Sequence, residues 1–261
     1  MAEPRPGRSA QPLDLAVQPP ERRPGRGGPA GYRAVMTSTI TPRGVATRAR
    51  IIEATAGLMA VHGVAGTSLD DVRRATGTSK SQLYHYFTDK ADLVRAVIGY
   101  QRDAVLAEQR LEEEPIDSLT ALRRWRYRTV AAHRATGFSQ GCRLGRIAAE
   151  LTDTDEQTRT DLAAAFALWQ ARLAAGLTVM ARRGELSPQA DPALLAAALL
   201  SGLQGGLLLS TPARDPRPLQ IALDLAVEQI VALSRPEDGS ENSRVPRRSP
   251  GRGEHLRAGT D

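Results

Sequence analysis

The sequence predicts an all-α protein, and three observations carry that reading. Apolar residues recur three and four apart from Thr47 to about residue 234. Gly, Pro or short polar segments punctuate these runs, as helix starts and stops do. No segment shows the two-residue alternation of a half-buried strand. A hydrophobic content of 41% can support a core, but aromatics are only 4%, so Ala and Leu must fill it.

Residues 1–44 are rich in Pro, Gly and Arg, lack apolar periodicity and read as a disordered basic extension. From Thr47, residues Ile51, Ile52, Thr55, Leu58, Met59 and His62 mark a first helix that His62-Gly63 ends. Thr67-Ser68 opens a short second helix carrying Leu69, Val72 and Ala75, and Gly77 suits the left-handed position after it. Ser79 caps a third helix through Phe87. Thr88 or Asp89 caps a fourth, from Lys90 to about Gln109, with Leu93, Val94, Val97 and Ile98 inward. Further helices are expected over 117–135, 143–151, 155–183, 191–209 and 216–234, with a disordered tail from 235. The implied domains are 45–98 and 99–234.

The net charge of +6 is unevenly spread. Residues 1–44 carry 7 Arg against 3 acids, residues 45–100 carry 7 cations against 5 acids, and residues 101–234 carry 15 Arg against 16 acids. A polyanion partner is therefore expected at the N-terminal end. The single cysteine, Cys142, excludes an internal disulfide and fits a reducing, cytoplasmic setting; with His133 it is too little for a metal site. No Ser/His/Asp set or phosphate-cradling glycine loop appears, so neither catalysis nor a cofactor is expected. The N-terminus lacks an apolar secretory core. The uncharged run Ala193 to Leu209 contains Ser201, Gln204 and three glycines, and reads as a buried packing helix rather than a membrane span.

The stretch TGTSKSQLYHYFTDK, Thr76 to Lys90, holds both lysines of the chain and three of its ten aromatics. On a helix from Ser79 to Phe87, Leu83 and Phe87 share one side with Tyr86 flanking. Ser81, Tyr84 and His85 fall opposite, with Lys80 and Gln82 at the edges. Two short helices joined by a glycine turn, the second with a polar outward face, describe a helix-turn-helix. Thr78, Ser79 and Tyr84 can bond phosphates, Lys80 and Gln82 can reach base edges, and Lys90 at a helix start can meet a phosphate. A merely solvated helix face is the alternative.

Residues 47–98 resemble the N-terminal domain of TetR-family transcriptional regulators. Thr67-Ser68, Ala75-Thr76-Gly77-Thr78-Ser79, Leu83-Tyr84-His85-Tyr86-Phe87 and Asp89-Lys90 before Leu93 carry the resemblance. It implies DNA contacts at Ser68, Thr78, Ser79, Lys80, Gln82, Tyr84, His85 and Lys90. Two positions depart from the family pattern: Arg73 replaces an alanine, and Ser81 a residue that is often glycine. Met36 offers an alternative translation start; loss of all DNA affinity from a chain beginning there would refute it.

The resemblance implies a C-terminal helical domain that binds a small molecule and dimerises. GCRLGRIAAEL, Gly141 to Leu151, more loosely resembles the LmrA/YxaF-like branch. Cavity-lining candidates are Trp125, Tyr127, Phe138, Cys142, Phe166 and Trp169, although residues of these types are more often plain core. The expected dimer interface uses Leu199, Gly202 and Gly206 on one helix with Leu219, Leu223, Ala226 and Ile230 on the next. RRWRYR, Arg123 to Arg128, reads as a solvated charged helix. The expected function is a homodimeric, ligand-responsive repressor on a near-palindromic double-stranded DNA operator. An architectural DNA binder, or a helical small-molecule protein with an incidental helix-turn-helix, remain as alternatives.

Overall fold

The computed structural model describes residues 41–151 and 156–234, and its described part is built of nine helices. The expectations for residues 1–40 and 235–261 lie outside the described residues.

Helix α1 (Pro42–His62) starts earlier than the sequence periodicity indicates. Thr41 is its N-cap, accepting from the Gly44 N–H at 3.2 Å, and Pro42 fills the first turn, where no N–H is needed. The boundary drawn at residue 44 therefore falls inside a helix. Helices α2 (Leu69–Thr76) and α3 (Lys80–Tyr86) follow, with Gly77 left-handed between them at φ 63°. On α2 the expected inward Ala75 is exposed, and Thr76 is buried in its place beside Val72. Asp89 caps α4 (Lys90–Gln109) by accepting from the Asp92 N–H at 2.7 Å.

Helices α5 (Leu119–Ala135), α6 (Arg143–Leu151), α7 (Glu156–Arg182), α8 (Pro192–Ala213) and α9 (Arg217–Ala232) form the larger part. Thr211-Pro212 does not break α8, which continues to Ala213. Proline is tolerated there because only the last turn loses a hydrogen bond. Helices α7 and α8 are long and apolar enough to cross a membrane by length and composition. Here α8 lies against both α7 and α9. Gly202 and Gly206 allow that approach: a Cβ on Gly206 would lie 2.7 Å from the Leu219 Cα, and one on Gly202 3.1 Å from the Ala222 carbonyl.

Two apolar cores result. One joins α4, α5, α7, α8 and α9 around Trp125, Leu173, Leu199 and Leu223. The other gathers Ile51, Val72, Leu83, Phe87 and Val97 from α1–α4, but also Leu144 and Ile147 from α6 and Leu162 and Ala165 from α7. The N-terminal helices thus share a core with the bundle, so a partition at residue 98 cuts through packed side chains.

Candidate nucleic-acid interface and cavity

Two reciprocal caps fix the start of α2 and α3. Ser68 Oγ accepts from the Asp71 N–H at 3.1 Å, and Asp71 Oδ2 accepts from the Ser68 N–H at 2.9 Å. The Ser68 hydroxyl also donates to that carboxylate at 2.5 Å, and these bonds hold the Asp71 pKa below its ordinary value. At α3, Ser79 Oγ accepts from the Gln82 N–H at 3.1 Å and Gln82 Oε1 from the Ser79 N–H at 3.0 Å. In the turn, the Thr76 and Thr78 hydroxyls bond each other at 2.8 Å in a buried setting.

With α3 held this way, Leu83 and Phe87 are 1% and 2% exposed, while Ser79, Lys80, Ser81, Gln82, Tyr84 and His85 all face outward. The expected inward and outward faces are therefore both present. Lys80 has no ion-pair or hydrogen-bond partner among the described residues, so its ammonium is free to reach a nucleic acid. Ser68 is also exposed, at the start of α2. Arg73 bonds Asp70 Oδ1 at 2.5 Å through one terminal nitrogen, while its Nε is buried and has no hydrogen-bond partner among the described residues, so the departure from alanine leaves the guanidinium half-buried.

Three expected roles change. Thr78 is 6% exposed and its hydroxyl serves the turn, so it is not offered to phosphate. Gln82 uses its amide oxygen as a cap, leaving the NH₂ group as its outward donor. Lys90 is half-buried, and its Nζ donates to the Val64 carbonyl at 2.8 Å, which uses one of three ammonium donors. Two cations missed in the sequence lie nearby on α1. The Arg48 guanidinium lies 5.0 Å from the Phe87 ring centroid, and Arg50 donates to the Thr76 carbonyl at the end of α2. Their spacing from Ile51 and Ile52 sets Arg48 at the edge of the inward face, the one signal that could have found it.

In the bundle, Trp125, Cys142 and Trp169 line one cavity of about 350 Å³, together with Leu203, Leu207 and a polar rim. The rim holds His133, Arg110, Arg128, Arg143 and Glu108, none of which the sequence marked as cavity residues. Burial pushes the His133 pKa down and the Cys142 thiol pKa up. Phe166 lies instead on an adjoining cavity of about 550 Å³, which Cys142 and Leu207 also line. Phe138 is a correction: it is core, 2% exposed and stacked on His133 at 6.4 Å between ring centroids. Tyr127 is 68% exposed on an outer groove. In the RRWRYR segment Arg126 lies 2.6 Å from Asp224 and Arg128 pairs with Glu114, while Trp125 between the arginines is buried.

Helix α6 runs from this cavity to the N-terminal helices. Arg146 donates to the Ala60 carbonyl at 2.9 Å, and Glu150 Oε2 accepts from the Val64 N–H at 2.7 Å. Gly63, at φ 73°, gives the carboxylate room: a Cβ there would lie 3.0 Å from Glu150 Oε2.

The expected dimer residues are largely internal. Leu199, Leu219, Leu223 and Ile230 are each 0% exposed within one protomer, and Gly202 and Gly206 pack α8 on α9. Ala226 is half-buried against the same core. The residues expected at the interface are therefore occupied in packing α8 and α9 within the protomer. The outward faces carry Leu194 (68%), Leu208 (72%), Leu209 (62%), Ile221 (59%) and Leu225 (62%).

Comparison with known proteins matches residues 51–97 to "Bacterial regulatory proteins, tetR family" and residues 118–226 to "Tetracyclin repressor-like, C-terminal domain". An uncharacterized HTH-type transcriptional regulator in the lacX 3' region of Lactococcus lactis is 31% identical over 69% of this chain and 90% of its own. Transcriptional regulator AcuR of Cereibacter sphaeroides is 29% identical over 79% and 92% of the two chains, and the HTH-type regulator YxaF of Bacillus subtilis 28% over 72% and 95%. A TetR transcriptional regulator from Chloroflexus aurantiacus shares the fold with a TM-score of 0.63, at 24% identity, covering 74% of this chain and 98% of that one. The helix-turn-helix, the bundle behind it and these relatives agree: the chain belongs to the TetR family of DNA-binding transcriptional regulators and is not an enzyme.

Proposed function

We propose that this protein is a cytoplasmic, effector-responsive repressor that acts as a homodimer on a near-palindromic operator. One observation carries the DNA reading: α3 buries Leu83 and Phe87 while Lys80, Ser81, Gln82, Tyr84 and His85 face outward from a doubly capped start. Lys80 and the Gln82 amide reach base edges, while Ser68, Ser79, Tyr84, His85 and Lys90 set register on the backbone. Lys90 does so while tethered to Val64.

The dimer reading now rests on the outward apolar residues of α8 and α9. Leu194, Leu208, Ile221 and Leu225 would be covered by the same residues of a second copy about a two-fold axis. Two copies of α3 would then meet successive major grooves, roughly 34 Å apart.

The coupling runs through α6 as well as α4. A ligand in the cavity beside Cys142 and Arg143 would bear on the first turn of α6, whose other end holds Ala60 and Val64 through Arg146 and Glu150. A shift of α6 would change how the N-terminal helices sit, provided that the ligand binds the two states with different affinity.

Competition binding tests this reading. Duplex DNA from beside the gene should contain a palindrome bound at least about a thousandfold tighter than random duplex. Equal affinity for both, with the same steep salt dependence, would favour an architectural binder and refute the operator reading.

A further inference from the structure

We propose that α3 reads guanine at two positions of each operator half-site, one through Lys80 and one through Gln82, and that the cap at the start of the helix is what turns Gln82 away from adenine. This deepens, and rests on, the reading of α3 as the helix that enters the major groove.

A glutamine contacts adenine with both ends of its amide. The NH₂ group donates to N7 while the carbonyl oxygen accepts from the N6 amino group. In this chain the oxygen is already engaged. The Ser79 N–H donates to Gln82 Oε1 at 3.0 Å, and the Gln82 N–H donates in return to Ser79 Oγ at 3.1 Å. Of the two ends of the amide only the oxygen can accept from an N–H, so chemistry fixes which way the group is turned. The two bonds satisfy N–H groups that a helix start otherwise leaves open, and each holds the other in place. Gln82 is exposed, and what it has left to offer is the NH₂ group, a donor only.

Lys80 offers the same chemistry. It is exposed, without a partner among the described residues, and its ammonium has three donors and no acceptor. No carboxylate occurs in the α3 sequence KSQLYHY. Those on the neighbouring helices are tied to caps or arginines: Asp70 to Arg73, Asp71 to Ser68 and Arg74, Asp89 to the Asp92 N–H, and Asp92 to the Thr88 N–H. The outward face therefore lacks the residue type that accepts from the N4 amino group of cytosine. Ser81, the short residue between Lys80 and Gln82, has its hydroxyl 3.1 Å from Ser79 Oγ.

Guanine is the base that suits two such donors. Its major-groove edge presents O6 and N7 side by side, both acceptors, and no donor. Adenine sets an amino group beside its N7, and cytosine presents an amino group alone, so each would face a donor with a donor. Thymine offers one acceptor next to a methyl group. Lys80 and Gln82 stand at opposite edges of the outward face, so each meets a base of its own.

The test selects sites for the full-length protein from a randomised duplex library and repeats the selection with Gln82→Glu. Glutamate also closes this kind of cap, so α3 keeps its start while the donor is replaced by an acceptor. The wild type should enrich a guanine–cytosine pair at the position that Gln82→Glu alters, and the variant should lose that preference by roughly five- to a hundredfold. In the selected duplex, 7-deazaguanine at either guanine should weaken wild-type binding by roughly fivefold or more, whereas inosine, which keeps O6 and N7, should not. Any other base at the altered position, adenine above all, would overturn the guanine assignment and leave the operator reading intact. So would wild-type binding indifferent to 7-deazaguanine, a measurement that stands whether or not Gln82→Glu folds. An unchanged preference in Gln82→Glu, with native helix content by circular dichroism, would remove Gln82 from base recognition and overturn the proposal. Enrichment of no sequence at all would instead overturn the operator reading on which it rests.

Discussion

Helices α3 and α8 solve opposite problems. In α3, seven residues present a polar face around one fully buried side chain, Leu83. Each residue type there declares its side, because a lysine or glutamine is costly to bury and a leucine gains little in water. In α8, 22 residues include a long run without charge, and both its buried and its exposed faces carry leucine. Composition alone then says that α8 is covered on several sides, but not by what. The difference teaches where amphipathic pattern is informative and where only packing geometry decides.

The largest expected effect separates the two faces of the α8–α9 pair. Leu223→Asp places a carboxylate at a fully buried position and should cost at least about 4 kcal/mol, abolishing the cooperative thermal transition seen by circular dichroism. Leu208→Asp, on the outward face, should instead leave helix content intact while halving the mass in sedimentation and weakening operator binding. A dimer that survived Leu208→Asp and Leu225→Asp together would remove the proposed interface.

Next come the residues that meet DNA. Lys80→Ala should lose about 1–3 kcal/mol of discrimination at one base-pair position. Lys90→Met should weaken all duplexes alike and flatten the salt slope by about one unit. Changed base preference in Lys90→Met alone would reverse these assignments. Gly63→Ala should follow, at about 1–3 kcal/mol, because a left-handed backbone and a Cβ 3.0 Å from Glu150 both oppose it. That loss should appear in thermal stability and also in a blunted response to effector, whereas a turn of local importance alone would leave the response unchanged. The smallest effects belong to the caps: Ser68→Ala and Ser79→Ala should each cost about 1 kcal/mol, measured by denaturant unfolding.

Much of the N-terminal part was readable in the sequence because its positions are chemically distinct. Ser68, Gly77, Ser79 and Asp89 each do what their side chain or backbone freedom suggests. Thr78 was misread because a hydroxyl suits either a phosphate or a neighbouring threonine, and only the fold brings Thr76 within 2.8 Å. The start of α1 was missed although Thr41-Pro42 is a recognisable beginning, since apolar periodicity sets in only later. In the bundle, Trp125, Cys142 and Trp169 were found by residue type. The rim of Glu108, Arg128, His133 and Arg143 was not, because those residues come from three separated segments and look like ordinary surface charge. The residues expected at a dimer interface turn inward for the reason α8 illustrates: glycine spacing indicates close helix approach, and here the close neighbour is α9 of the same chain.

The peptide groups of Val64 are gripped from two directions. Its N–H is held by the Glu150 carboxylate of α6, and its C=O by the Lys90 ammonium of α4. Any sliding of one helix past the other must lengthen at least one of these bonds, so this single loop residue would register the motion before the distant reading heads have separated. Its amide hydrogen would then act as a strain gauge, slow to exchange with solvent water while the grip is intact and quicker once an effector has loosened it.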